Sequence, residues 1–210
     1  MTRHHRVGEV AAGEHTTVLS LAVRLVDVVT GDRPLGSPSV GVVVPGSGLL
    51  QPTAVNDSGY WLFLDADLPP DPLDLVIGGG DHYADDRIEV SRPVGAAPAV
   101  RVELAPAPQY SFGRGATLVR GAVVDAAGNG VGDAVVTVQG LDRRTRTNGN
   151  GEFVLFLGDQ AVDEDPVTGD RWIVVDDADP VVEVDHDLGD RSASVTVPAG
   201  TVTHHTVTYP

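Results

Sequence analysis

Cysteine is absent from this 210-residue chain, so it has no disulfides and no thiol chemistry. Lysine is absent as well: all 14 basic residues are arginine, against 30 aspartates and glutamates. The formal charge of −16 leaves no basic stripe to follow a phosphate backbone, which argues against nucleic acid as a partner. No stretch approaches the roughly 20 apolar residues of a membrane span. The N-terminus, MTRHHRVGEVAAGEH, holds no apolar run of signal-peptide length, so the expectation is a soluble chain synthesised in the cytoplasm, from where it would leave only as part of an assembled particle. A sustained 3.6-residue apolar period is also missing, and very little helix is expected.

What is present points to strands. Val dominates the apolar residues, and its stiff first torsion suits a pleated sheet. Gly (25) and Pro (15) are too frequent for helices and suit many short strands joined by turns. The acid is spread along the whole chain, as a halophilic cytoplasm of the haloarchaeal kind selects, because hydrated carboxylates keep a protein soluble in high salt. The competing reading is attraction of a basic partner or of metal ions.

One pattern occurs twice. LAVRLVDVVTGDRPLGSPSVGVVV (Leu21 to Val44) followed by NDSGYWLFL (Asn56 to Leu64) is the first copy. VRGAVVDAAGNGVGDAVVTV (Val119 to Val138) followed by NGNGEFVLFL (Asn148 to Leu157) is the second. Each copy is an apolar strand ending in Asp, a Gly turn, a Val-rich strand, an Asn/Gly turn and a strand that opens on an aromatic residue. The division that follows is an N-terminal arm over residues 1–15, a first β-sandwich domain over 16–104, a Pro-rich linker over 105–114 and a second β-sandwich domain over 115–210. Strands are expected at Val18–Asp27, Val40–Val44, Tyr60–Leu64, Leu73–Ile77, Arg87–Val90 and Val100–Leu104. In the second half they are expected at Leu118–Asp125, Ala134–Gln139, Arg143–Thr147, Glu152–Leu157, Arg171–Val175, Val181–Val184, Ser192–Val197 and Val202–Tyr209. Their 8 to 12 residue spacing predicts two antiparallel sandwiches. Asp27 and Asp125 should accept backbone N–H groups and start turns. Asn148-Gly149 and Asn150-Gly151 should supply positive φ, and Tyr60 and Phe153 should anchor the core.

The spacing of Gly121, Val123, Asp125, Gly128, Val131, Ala134, Val136, Val138, Thr147, Gly151 and Phe153 resembles that of the carboxypeptidase-regulatory-like, transthyretin-like (Ig-like) domains. Val26, Asp27, Gly31, Pro34, Val40, Gly59 and Tyr60 match more loosely, with Ser39 in place of a small apolar residue and PGSGLLQPT inserted. The resemblance implies seven- or eight-stranded sandwiches and leaves function open, since this fold hosts unrelated roles. Intradiol dioxygenases share the sandwich but hold iron with paired His and Tyr. After Phe153 the next His here is His186, alone.

Little in the sequence offers chemistry. His4–His5 and His204–His205 are pairs near the termini; adjacent strand residues face opposite ways, so neither pair chelates well by itself. The acidic stretch Gly158 to Asp170 carries Asp159, Asp163, Asp165 and Asp170, weak candidates for a structural Ca²⁺ set against a simple acidic surface. Trp61 and Trp172 sit in predicted strands as core anchors, and either would mark a ligand groove if exposed. No catalytic constellation is expected, and no cofactor. The expectation is a non-enzymatic structural or adaptor protein, an accessory baseplate, fibre or decoration component of a contractile injection system or tailed virus. Its partners would be other subunits, a homo-oligomer among them, with no membrane span. The alternative is a ligand- or carbohydrate-binding module using sandwich-end loops such as Pro45–Pro52 and Asp159–Asp170.

Overall fold

The computed structural model describes residues 16–92, 98–158, 162–175 and 178–209. Within them the chain is all-β, and its strands form several mostly antiparallel sheets. In the first half, β1 (Leu19–Asp27), β4 (Ala54–Val55), β5 (Tyr60–Leu64) and β8 (Ala99–Leu104) form one sheet in the order β4-β5-β1-β8. Facing it, β2 (Ser39–Val44), β3 (Gly48–Leu50), β6 (Leu73–Gly78) and β7 (Asp86–Val90) form a second, ordered β3-β2-β6-β7. The second half repeats the scheme. β9 (Leu118–Val124), β12 (Glu152–Phe156) and β17 (Val202–Thr208) are ordered β12-β9-β17. β10 (Val135–Val138), β11 (Leu141–Arg146), β15 (Val181–Asp185) and β16 (Arg191–Ser194) are ordered β11-β10-β15-β16. β13 (Val162–Glu164) and β14 (Arg171–Ile173) form a separate two-stranded hairpin.

The repeat in sequence is therefore a repeat in topology: β5-β1-β8 corresponds to β12-β9-β17, and β2-β6-β7 to β10-β15-β16. One pairing departs from a purely antiparallel design. In each half the final strand closes the sheet by running parallel to the first, β8 on β1 and β17 on β9. Both strands leave the opposite sheet and so enter from the same end as the strand they join, which a tight hairpin could not achieve.

Alternation sets what is buried. Leu73, Leu75 and Ile77 of β6 point inward while Asp74, Val76 and Gly78 are half-exposed. The central β1 is instead buried along most of both faces, which explains its near-continuous apolar run. The buried apolar side chains fall into two clusters, one around Leu21, Val42, Phe63 and Leu75, the other around Val119, Val136, Phe153 and Val182.

The aromatic anchors shift by one residue from expectation in the first copy. Phe153 lies in the core, 1% exposed, but Tyr60 is half-buried on the other face beneath Arg24, and Trp61 and Phe63 fill the interior. Counted from the turn glycines, Trp61 after Gly59 is the counterpart of Phe153 after Gly151. A period of two sends the intervening Tyr60 and Glu152 outward.

Two segments expected as loops contain strands. The inserted PGSGLLQPT leads from one sheet to the other: its β3 pairs antiparallel with β2, and β4, which follows it directly, pairs with β5. The described part of the acidic stretch is the β13–β14 hairpin, and β14 also bonds the chain leading to β17, with Ile173 N–H donating to Val197 O at 2.8 Å. Segment 105–114 is tied down rather than free. Ala84 N–H donates to Ala105 O and Ala107 N–H to His82 O, both at 2.9 Å, and Ala107 and Tyr110 are buried. Residues 1–15, with His4 and His5, lie outside the described residues.

Candidate functional site

The polar residues that define the repeat are occupied by the chain's own backbone. At the second Asn/Gly turn, Asn148 Oδ1 accepts from the N–H groups of Asn150 and Glu152 at 2.9 and 3.0 Å. At the first, Asn56 Oδ1 accepts from Tyr60 N–H at 2.9 Å. Both turns close on a glycine with positive φ, Gly59 at 81° and Gly151 at 76°. Gly149, expected to share that conformation, does not lie at positive φ; Gly151 does. Thr147 is buried; its hydroxyl donates to Val131 O at 2.7 Å and accepts from Ala134 N–H at 2.9 Å.

The two strand-ending aspartates have diverged. Asp125 is half-exposed, and its Oδ1 accepts from Ala127 and Asn129 N–H at 2.9 and 2.8 Å. The Asn129 side-chain amide, foremost, and these N–H groups hold its carboxyl below the usual range. Asp27 is 1% exposed. Its Oδ1 accepts from Val29 N–H at 2.8 Å, and its Oδ2 accepts from the Tyr110 hydroxyl at 2.7 Å. Tyr83 packs against Tyr110, ring centres 5.8 Å apart, and its hydroxyl accepts from Leu35 N–H at 2.8 Å. Burial pushes the Tyr83 hydroxyl up to about 12, and burial together with the Asp27 bond raises that of Tyr110. Tyr110 leads through Phe112 to Phe156 of β12, so an aromatic row runs from the buried carboxylate to the second half.

The two halves also meet through charge. Asp86 of β7 receives Arg144 Nη2 at 2.6 Å and Arg146 Nε at 2.9 Å, both from β11. Asp74, held below its ordinary range by Arg87, pairs with that arginine beside them. Between β8 and β11 lies a cleft of about 430 Å³ lined by Arg101, Glu103, Asp142, Arg143 and Arg144 together with the apolar Ile88, Val102 and Val154. Arg143 Nε is buried there without a hydrogen-bond partner among the described residues.

The candidate residues from the sequence are dispersed. Asp159 lies outside the described residues. Asp163 sits exposed in β13 opposite Trp172, and Asp165 caps the hairpin turn by accepting from Val167 N–H at 2.7 Å. That bond and the Thr168 N–H hold its carboxyl below the usual range. Asp170 takes no such role; its backbone N–H donates to Thr168 Oγ1 at 3.2 Å. Among the described residues no three His, Asp or Glu side chains gather at metal-binding distance. His204 is exposed and His205 half-buried on the opposite face of β17. Trp61 is in the core, and Trp172 is half-buried, bridged through its backbone to Pro198. Tyr209 is fully buried, its hydroxyl on Val184 O at 3.3 Å. Among the described residues no helix is long and apolar enough to cross a membrane. Sequence reasoning missed the Asp27–Tyr110 contact and the Asp86–Arg144–Arg146 group, because each joins residues far apart in the chain.

No family model matches the chain, and a search of curated proteins returns no match.

Proposed function

We propose that the chain is a non-enzymatic structural or adaptor protein of two tandem carboxypeptidase-regulatory-like, transthyretin-like modules. We place it as an accessory component, in baseplate, fibre or decoration, of a contractile injection particle or tailed virus. The observation that carries the proposal is where the signature polar groups spend their bonds. Asp27, Asp125, Asn56, Asn148 and Thr147 all direct their oxygens to the chain's own donors, so the repeated pattern serves to build sheets. A catalytic acid, base or nucleophile needs a lone pair or proton turned toward a substrate. In this reading the useful surfaces are sheet faces, edges and loops, which suit protein partners in a stacked assembly. Sedimentation of a native-host lysate, followed with an antibody to the chain, tests this. Recovery with particles of megadalton size beside tube or sheath proteins is the expected result; recovery solely as free chain overturns it.

A second reading, a ligand-binding module, is favoured by the cleft between β8 and β11, where Arg143 Nε has no partner among the described residues. An oligosaccharide panel scored by thermal shift, with Arg143→Ala as control, tests that reading. A stabilising glycan whose effect needs Arg143 would favour it over the structural role.

A further inference from the structure

Among the described residues, β17, the last strand of the second half, has a bare edge. Residue Thr201 accepts from Leu118 N–H at 3.0 Å, and Tyr209 N–H donates to Val124 O at 2.8 Å, so the odd-numbered residues turn their backbone groups toward β9. In an extended strand the N–H and C=O of one residue point the same way, and successive residues alternate. Val202, His204, Thr206 and Thr208 therefore turn theirs away from β9, and their side chains are exposed. Among the described residues no strand lies on that side.

Edges of this kind invite another strand, and proteins guard them with charge, bulges or short length. The other described edge strands of four residues or more, β7, β8, β11, β12 and β16, each carry Asp, Glu or Arg. The counterpart β8 presents the ion pair Arg101–Glu103 at 2.8 Å and faces β11 of the second half across the cleft. The β17 sequence, VTHHTVT, has seven residues without one acidic or basic Arg-type charge, on a chain whose net charge is −16.

We propose that β17 pairs antiparallel with β17 of a second copy about a two-fold axis at His205. The register is self-complementary. His204 lies opposite Thr206 of the other copy and Val202 opposite Thr208, so all four outward residues face outward residues and form about eight interchain hydrogen bonds. Two sheets ordered β12-β9-β17 become one six-stranded sheet. A second copy is the fitting occupant because the strand brings no like charges together, although the rest of each chain is acidic. This interface is independent of the particle reading above.

Sedimentation velocity of the full chain up to about 200 μM tests the pairing, at about 1 M salt so that the Debye length is about 3 Å and the acidic surfaces are screened. A dimer is expected. Thr206→Pro deletes an N–H that faces away from β9, so the fold keeps its ladder while the Kd rises about 100-fold or more. Thr206→Lys should act likewise, and it decides the matter if the proline variant fails to fold. On this cysteine-free background His205→Cys should give an oxidised, disulfide-linked dimer. Facing residues of a non-hydrogen-bonded antiparallel pair have Cα atoms about 4.5 Å apart, within disulfide reach. A monomer throughout, a dimer indifferent to both Thr206 variants, or no cross-link at 205 overturns the proposal.

Discussion

The hydroxyl of Tyr110 donates a 2.7 Å hydrogen bond to Oδ2 of Asp27, a carboxylate 1% exposed and 83 residues earlier in the chain. Its counterpart in the second copy, Asp125, is bonded only locally among the described residues, by the N–H groups of Ala127 and Asn129 and by the Asn129 side-chain amide. The same turn residue thus became, in the first copy, the attachment point for the segment that joins the halves.

Removing that donor should cost stability out of proportion to one lost atom. Tyr110→Phe leaves Oδ2 of a buried carboxylate without its donor, at about 1–3 kcal/mol. Asp125→Ala, which removes exposed turn bonds, should cost less. Urea unfolding of both variants checks the order; equal losses would mean that the Asp27 contact contributes nothing beyond its turn.

Alkaline pH should weaken the protein through the same group. Tyr83, at about 12, and Tyr110, also raised, hold their protons in the folded state above the ordinary tyrosine value near 10. Because the folded pKa exceeds the unfolded one, this stability is complete below about pH 10 and is lost as pH rises through the folded values. The loss approaches about 1.4 kcal/mol per pH unit for each tyrosine in that window. Melting followed between pH 9 and about 12 with Tyr83→Phe as comparison checks the slope, which the variant should reduce.

Two neighbouring glycines should respond differently to alanine. Gly151 has φ of 76°, and a Cβ there would lie 2.3 Å from Val123 O. Gly149 meets nothing within 4 Å and does not lie at positive φ. Gly151→Ala should destabilise by about 2 kcal/mol or more, whereas Gly149→Ala should be near neutral. Thermal melts of the two variants side by side are sufficient.

Salt should stabilise the chain. With a formal charge of −16 and no lysine, carboxylates repel across the surface when unscreened. The Tm should rise steadily from about 0.05 to 1 M salt, where the Debye length falls to about 3 Å. A flat profile, or tight folding in water alone, would remove halophilic adaptation as the reason for the acidity.

Much of the strand pattern was legible in the sequence, and the exceptions have physical causes. Tyr60–Leu64 is a strand with the bounds its sequence predicts, because alternation and a glycine turn both mark it. β3, β4 and β13 are two or three residues long, too short to show a period, and exist because a neighbouring strand supplies their bonds. Tyr60 was misread as a core residue because aromatic character does not report which face a residue takes; distance from Gly59 does. Of the contacts between the halves, Asp86 with Arg144 and Arg146 left no local trace, since an arginine on a strand looks the same whether it meets water or a carboxylate.

By itself the sequence determined the all-β class, the duplicated order of strands and the turn positions. Those follow from short-range rules: stiff Val at alternate positions, Asn and Asp accepting nearby N–H groups, and glycine where φ is positive. Only the tertiary structure decided that β8 and β17 close their sheets in parallel, that Asp27 is buried while Asp125 is not, and that β17 has no strand on its outer side among the described residues. Each of these depends on which distant strand arrives beside a residue, and strand-to-strand pairing is set by closure of the whole chain rather than by the residues on either side.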